Sequence, residues 1–128
     1  MVTERRRRLF PPLAITDVVL VDLGQPLGSE AGHRRPAVIV SNDGSNATVE
    51  RLGRGIVTVV LVTSKVRTIL SFQVALEAGT GGLQRDSKAQ AEQVRTVSAD
   101  RLGARLGQLP GGATMRRVDD ALRLHLAL

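Results

Sequence analysis

Along most of the chain the apolar positions run in short unbroken blocks or alternate with polar ones, a period of two and not of 3.6. Residues 16–23 (TDVVLVDL), 36–41 (PAVIVS) and 56–64 (IVTVVLVTS) are dense in β-branched side chains, the mark of buried strands. Three shorter segments, 71–76 (SFQVAL), 91–97 (AEQVRTV) and 105–110 (RLGQLP), read as further strands separated by glycine-containing turns. The period changes once. After PGG at 110–112, Met115, Val118, Leu122 and Leu126 recur at helical spacing, with Asp119 and Arg123 placed as an i,i+4 pair. The chain is therefore expected to end in an amphipathic helix packed on the sheet. Ser98 is an N-cap candidate for a short helical turn ahead of the last strand. The pattern predicts a mainly β domain of α+β class over 16–128. A basic, flexible arm at 1–15, carrying arginines 5 to 8, precedes it.

At 128 residues the chain fits one domain with one core. It has no cysteine, which removes disulfide frameworks, thiolate metal sites and cysteine nucleophiles and points to a reducing compartment. No apolar run approaches the roughly 18 residues that span a bilayer, and the N-terminus lacks the apolar core of a signal peptide. A soluble, cytoplasmic protein with no membrane partner is expected. Charge changes the picture more. Eighteen Lys and Arg against 12 Asp and Glu give +6 and a pI near 11.4, and nearly all the cations are arginine. That balance favours a polyanionic partner, nucleic acid first. Single-strand binders usually stack bases on aromatic rings, and here only Phe10 and Phe72 are available. Backbone charge and arginine planes would have to carry the grip.

The candidate chemistry is sparse. His33 and His125 are the only histidines and stand far apart in sequence, so a two-histidine ribonuclease arrangement is disfavoured and His125 reads as structural. No paired histidines, HExxH or acidic metal loop occurs, so neither a metal nor a cofactor is expected. LGQPLG at 23–28 lacks the Lys-Ser/Thr ending of a phosphate loop and reads as a turn. What remains is polar groups at strand ends. Glu30, His33, Arg34 and Arg35 precede the second strand, Thr63, Ser64 and Lys65 end the third, and Arg85, Asp86, Ser87 and Gln93 lie near the fifth.

The order of these pieces, VVLVDLGQPLGSEAGHRRPAVIVSND, then VTVVLVTSK, then GLQRDSKAQAEQVRTV, resembles the MazF (PemK-like) toxins of bacterial toxin–antitoxin systems, endoribonucleases also called mRNA interferases. The resemblance implies a small SH3-like β-barrel with a C-terminal helix, shared with the CcdB toxins. It also implies a homodimer that binds single-stranded RNA and is held in check by an acidic MazE-type antitoxin. Family members cleave without metal, leaving a 2′,3′-cyclic phosphate and a 5′-hydroxyl. By position the catalytic arginine before proline falls on Arg35, the catalytic threonine on Thr63, and the glutamate of the family's GSE stretch on Glu30. His33, Arg34, Ser64, Lys65, Arg67 and Arg85 fall where RNA contacts are expected.

The chemistry suits these residue types. Attack of a ribose 2′-OH on the adjacent phosphate builds negative charge that a guanidinium bonds in its planar fork. A proline after the arginine biases it toward extended backbone at a strand entrance. Either Arg34 or Arg35 could face the phosphate. The general base is not named by the sequence, Glu30 and a water both being open. Structural alternatives stand beside each residue: Arg35 pairing an acidic group at the rim, Thr63 satisfying a neighbouring backbone group, Glu30 as a turn residue, Ser87 and Gln93 holding loop and dimer geometry. Two rival classes are a CcdB-like gyrase-binding toxin, disfavoured by the absence of tryptophan, and a non-catalytic RNA-binding barrel.

Overall fold

The computed structural model describes residues 13–25, 28 and 33–128; Glu30 and most of the expected N-terminal arm lie outside them. In chain order the elements are β1 (Asp17–Asp22), β2 (Arg34–Ile39), α1 (Asp43–Leu52), β3 (Ile56–Thr63), β4 (Gln73–Leu76), β5 (Ser87–Ser98), β6 (Leu102–Gln108) and α2 (Ala113–Leu126). Two 3₁₀ turns, Thr80–Gly82 and Ala99–Arg101, precede β5 and β6. Ser98 caps the second, accepting from the Asp100 N–H, as expected. All six expected strands are present and form one antiparallel sheet in the order β4-β5-β3-β2-β1-β6.

The unbroken apolar runs arise because the central strands are buried on both faces. Val18, Val38 and Val60 stand side by side across β1, β2 and β3, and the next positions, Val19, Ala37 and Leu61, do the same one residue away. Successive side chains point to opposite faces, so the first row belongs to one apolar cluster with Met115, Val118 and Ala121 of α2. The second row belongs to another with Val49 of α1. Each fully buried valine or leucine contributes about 1.5–3 kcal/mol by leaving water.

The helix α1 was not expected. Its only buried side chains are Asn46 and Val49, too few to print an apolar stripe. Asn42 caps it, accepting from the Ser45 N–H at 2.8 Å, and Gly53 ends it at φ 69. Asn46, fully buried, donates to the Ser41 carbonyl at 2.8 Å and accepts from the Ser41 hydroxyl at 2.6 Å. Helix α2 buries Met115 and Val118 as expected, with Leu122 partly covered, but Leu126 is half exposed. The expected Asp119–Arg123 pair is replaced by Asp120–Arg123 at 3.3 Å, because Asp119 turns partly inward while Asp120 and Arg123 share the solvent face.

The fold is mainly β with a terminal helix, and the barrel is one in outline only, since β4 and β6 remain the edges of the sheet. The Thr80–Gly82 turn bridges that gap by lying on β6. A Cβ at Gly82, where φ is +80, would stand 2.0 Å from the Leu106 carbonyl oxygen, so only glycine permits the approach. β5 bends to meet two partners: its register to β3 jumps between Val60↔Val94 and Leu61↔Gln90, and the part before the jump also pairs with β4.

Candidate active site

The β2–β3 ladder stops at Ala37↔Leu61, and the reason is Pro36. Val40 N–H donates to the Thr58 carbonyl at 2.9 Å, so the hydrogen-bonding residues of β2 are the even-numbered ones and Pro36 falls opposite Val62. Proline has no N–H to give. The Val62 carbonyl, left without its ladder donor, accepts instead from Arg35 Nη2 at 3.3 Å. The same register, continued two residues past Ala37↔Leu61, sets Arg35 opposite Thr63. The strands part at this point, and a cleft of about 600 Å³ opens between them.

Three more elements close the cleft. Leu20 of β1 and Leu106 of β6 supply apolar wall, and the turn over Thr80–Gly82 brings in Gly82, Leu83, Gln84 and Arg85. That turn is tied at both ends: Asp86 Oδ1 accepts from the Ala78 N–H at 2.9 Å, and the buried Ser87 hydroxyl donates to the Arg85 carbonyl at 2.8 Å. On the β3 side Thr63 is 7% exposed, and its hydroxyl oxygen accepts from the Lys65 N–H at 3.2 Å. That bond leaves the threonine's own proton free to donate. Four cations, Arg34, Arg35, Lys65 and Arg85, line the cleft, and among the described residues none that line it is a carboxylate. Such a pocket concentrates anions.

The family model of PemK-like, MazF-like toxins of type II toxin–antitoxin systems matches residues 15–126. The chain belongs to this toxin family. It is 53% identical over 108 residues to endoribonuclease MazF9 of Mycobacterium tuberculosis, a match covering 84% of this chain and 91% of that protein. It is 32% identical over 112 residues to endoribonuclease EndoA of Bacillus subtilis, covering 88% and 92%. A solved endoribonuclease in complex with its cognate antitoxin, from a mycobacterial species, superposes with a TM-score of 0.72 at 27% identity, covering 91% of this chain and 96% of that one. MazF from Deinococcus radiodurans shares the fold, with a TM-score of 0.75 at 23% identity over 92% and 99% of the two chains.

Against the toxin-family expectations, the structure brings Arg34, Arg35, Thr63, Ser64, Lys65 and Arg85 to one cleft. His33 and Arg67 are exposed and do not line it. His33 instead closes the β1–β2 hairpin, its N–H donating to the Gly24 carbonyl at 2.6 Å and its carbonyl accepting from the Leu23 N–H at 2.8 Å, with φ at 60. Gln93 is also outside the cleft and accepts from Arg95 at 3.4 Å. His125 stands against Phe72, ring centroids 5.9 Å apart. Among the described residues no carboxylate pairs with Arg35, and none forms a cluster able to hold a metal. The sequence reading missed Gln84 and the apolar wall of Leu20, Leu83 and Leu106; the glycine pair before Leu83 was the available signal that the turn packs tightly.

Proposed function

We propose that this toxin is an endoribonuclease that cleaves single-stranded RNA without a metal ion. The observation that supports it is the cleft's composition: Arg34, Arg35, Lys65 and Arg85 with the hydroxyls of Thr63, Ser64 and Ser87, and, among the described residues, no lining carboxylate to repel a phosphate. A chain of RNA brings its own negative charge, and with so few aromatic side chains the phosphates must provide the hold. The ribose 2′-oxygen attacks the adjacent phosphorus, a bond that closes the 2′,3′-cyclic phosphate. The bond to the 5′-oxygen breaks, and that oxygen leaves as a 5′-hydroxyl after taking a proton.

Each residue has a place in this step. Arg35 uses one N–H on the Val62 carbonyl and keeps the rest of its fork for two phosphate oxygens, where charge grows as the phosphorane forms. A second role for it is to donate the proton that the leaving oxygen takes. Thr63, with its oxygen already accepting from Lys65 N–H, donates its hydroxyl proton to a phosphate oxygen. Arg34, Lys65 and Arg85 hold the flanking phosphates. Glu30 is the candidate to accept the proton of the 2′-OH.

The working form in this reading is a cytoplasmic homodimer. One chain leaves Ile69, Leu70, Leu124 and Leu128 exposed, apolar side chains that a second copy would cover. An acidic, partly disordered antitoxin fits the cationic cleft and blocks it. Incubation of the purified protein with a long single-stranded RNA in EDTA, followed by end-group analysis, tests the reading. Discrete fragments ending in cyclic phosphate and 5′-hydroxyl are expected. Binding with no cutting would make the chain a non-catalytic RNA binder.

A further inference from the structure

The loop at 64–72 leaves β3 from the catalytic edge, carries Ser64 and Lys65 into the cleft and returns as β4. Little apolar burial holds it: of its side chains only Val66 and Phe72 are partly covered, and Ile69 and Leu70 are 44% and 45% exposed. A segment with so few buried contacts opens readily unless something else fastens it. The fastening is polar and comes from the neighbouring strands. Lys88 Nζ donates to the Thr68 carbonyl at 2.7 Å. Gln73 Oε1 accepts from the Leu70 N–H at 2.9 Å, and its Nε2 donates to Glu92 Oε2 at 2.6 Å.

The place of Lys88 in the sheet gives these bonds their meaning. It is the ladder partner of Thr63 on one side and of Ala75 on the other, and it is only 9% exposed. A lysine is rarely buried this far unless its head group is satisfied. Here the head group is spent on a loop carbonyl and not on substrate, since Lys88 does not line the cleft.

We infer that Lys88, with Gln73, is a positioning residue for RNA cleavage: the two fix the 64–72 loop and thereby hold the Lys65 N–H on the Thr63 hydroxyl, at 3.2 Å, the bond that orients that hydroxyl toward the phosphate. This rests on the proposed ribonuclease activity. Neither residue touches the RNA; both act through the loop. Misplacing oriented groups by about an ångström slows a reaction by about a hundredfold, whereas diffuse phosphate contacts tolerate the same displacement.

The test uses the full chain with Lys88→Met, which keeps length and burial but removes the donor, and Gln73→Met. Single-turnover cleavage at saturating RNA, RNA affinity and amide hydrogen exchange are measured for each. The expected result is a rate loss of about tenfold or more, an affinity close to wild type, and faster exchange confined to 66–72. Wild-type rates in both variants would overturn the inference, as would a loss confined to affinity. Should Lys88→Met fail to fold, Gln73→Met decides by the same readouts. If the wild-type protein cuts no RNA, the ribonuclease reading falls, and exchange alone judges the fastening: a rise confined to 66–72 upholds it, and unchanged exchange sinks it.

Discussion

Replacing Pro36 with alanine should leave the fold as stable as before while slowing cleavage. The substitution supplies the N–H that the β2–β3 ladder lacks opposite Val62, and the Val62 carbonyl, now held by Arg35 at 3.3 Å, gains a backbone donor in line with the sheet. A ladder bond of this kind contributes about 0.5–1.5 kcal/mol. Loss of proline frees the unfolded chain and costs about 0.4–1 kcal/mol. The two nearly cancel, so urea unfolding should change by no more than about 1 kcal/mol. Arg35, displaced from its carbonyl, loses the anchor that orients its fork, and the single-turnover rate should fall by about tenfold to a hundredfold. Hydrogen exchange at the new amide of position 36 reports whether the ladder has closed. A protected amide together with wild-type cleavage would show that the Val62 carbonyl does not set the working position of Arg35. An unprotected amide would refute the register argument itself.

Thr63→Val keeps the shape of a β-branched side chain and removes the hydroxyl that the cleft presents, so it should lower the cleavage rate more than RNA affinity, read by single-turnover kinetics and filter binding. Gly82→Ala places a methyl group against the Leu106 carbonyl at a φ of +80; a loss of more than about 2 kcal/mol is expected in urea unfolding. Asn46→Ala removes a fully buried amide and strips the partly buried Ser41 carbonyl of its donor, and should cost about 1–3 kcal/mol in the same measurement.

The sheet was legible because its central strands are buried on both sides, which forces dense Val, Ile and Leu into β1, β2 and β3. Helix α1 was not, since its contact with the sheet rests on one valine and one asparagine, and a buried asparagine looks the same in sequence as a surface one. The Asn42 cap and Gly53 stop were its only signals. At the site, Arg35 and Thr63 were readable from family resemblance, yet the reason they meet is a matter of register: Pro36 ends the ladder, and the strands part where it ends. The contribution of Gln84 and Leu83 depends on how the Thr80–Gly82 turn packs on β6, a long-range contact that no local pattern encodes. His33 and Arg67, expected among the RNA contacts, are exposed and stand outside the cleft lining, which sequence neighbourhood alone does not reveal.

The division of labour between the two arginines is the central claim, and cleavage rates at saturating RNA for Arg34→Ala and Arg35→Ala, with affinity measured separately across salt concentrations, test it most directly. Arg35→Ala should fold normally and lose about a hundredfold or more in rate, with Arg35→Lys rescuing little because an ammonium lacks the planar fork. Arg34→Ala should keep its rate at saturation, bind more weakly and show a shallower salt dependence, as the loss of one phosphate contact requires. Near wild-type cleavage by Arg35→Ala would contradict the account, and an inactive Arg34→Ala beside it would move the catalytic role to the neighbouring residue.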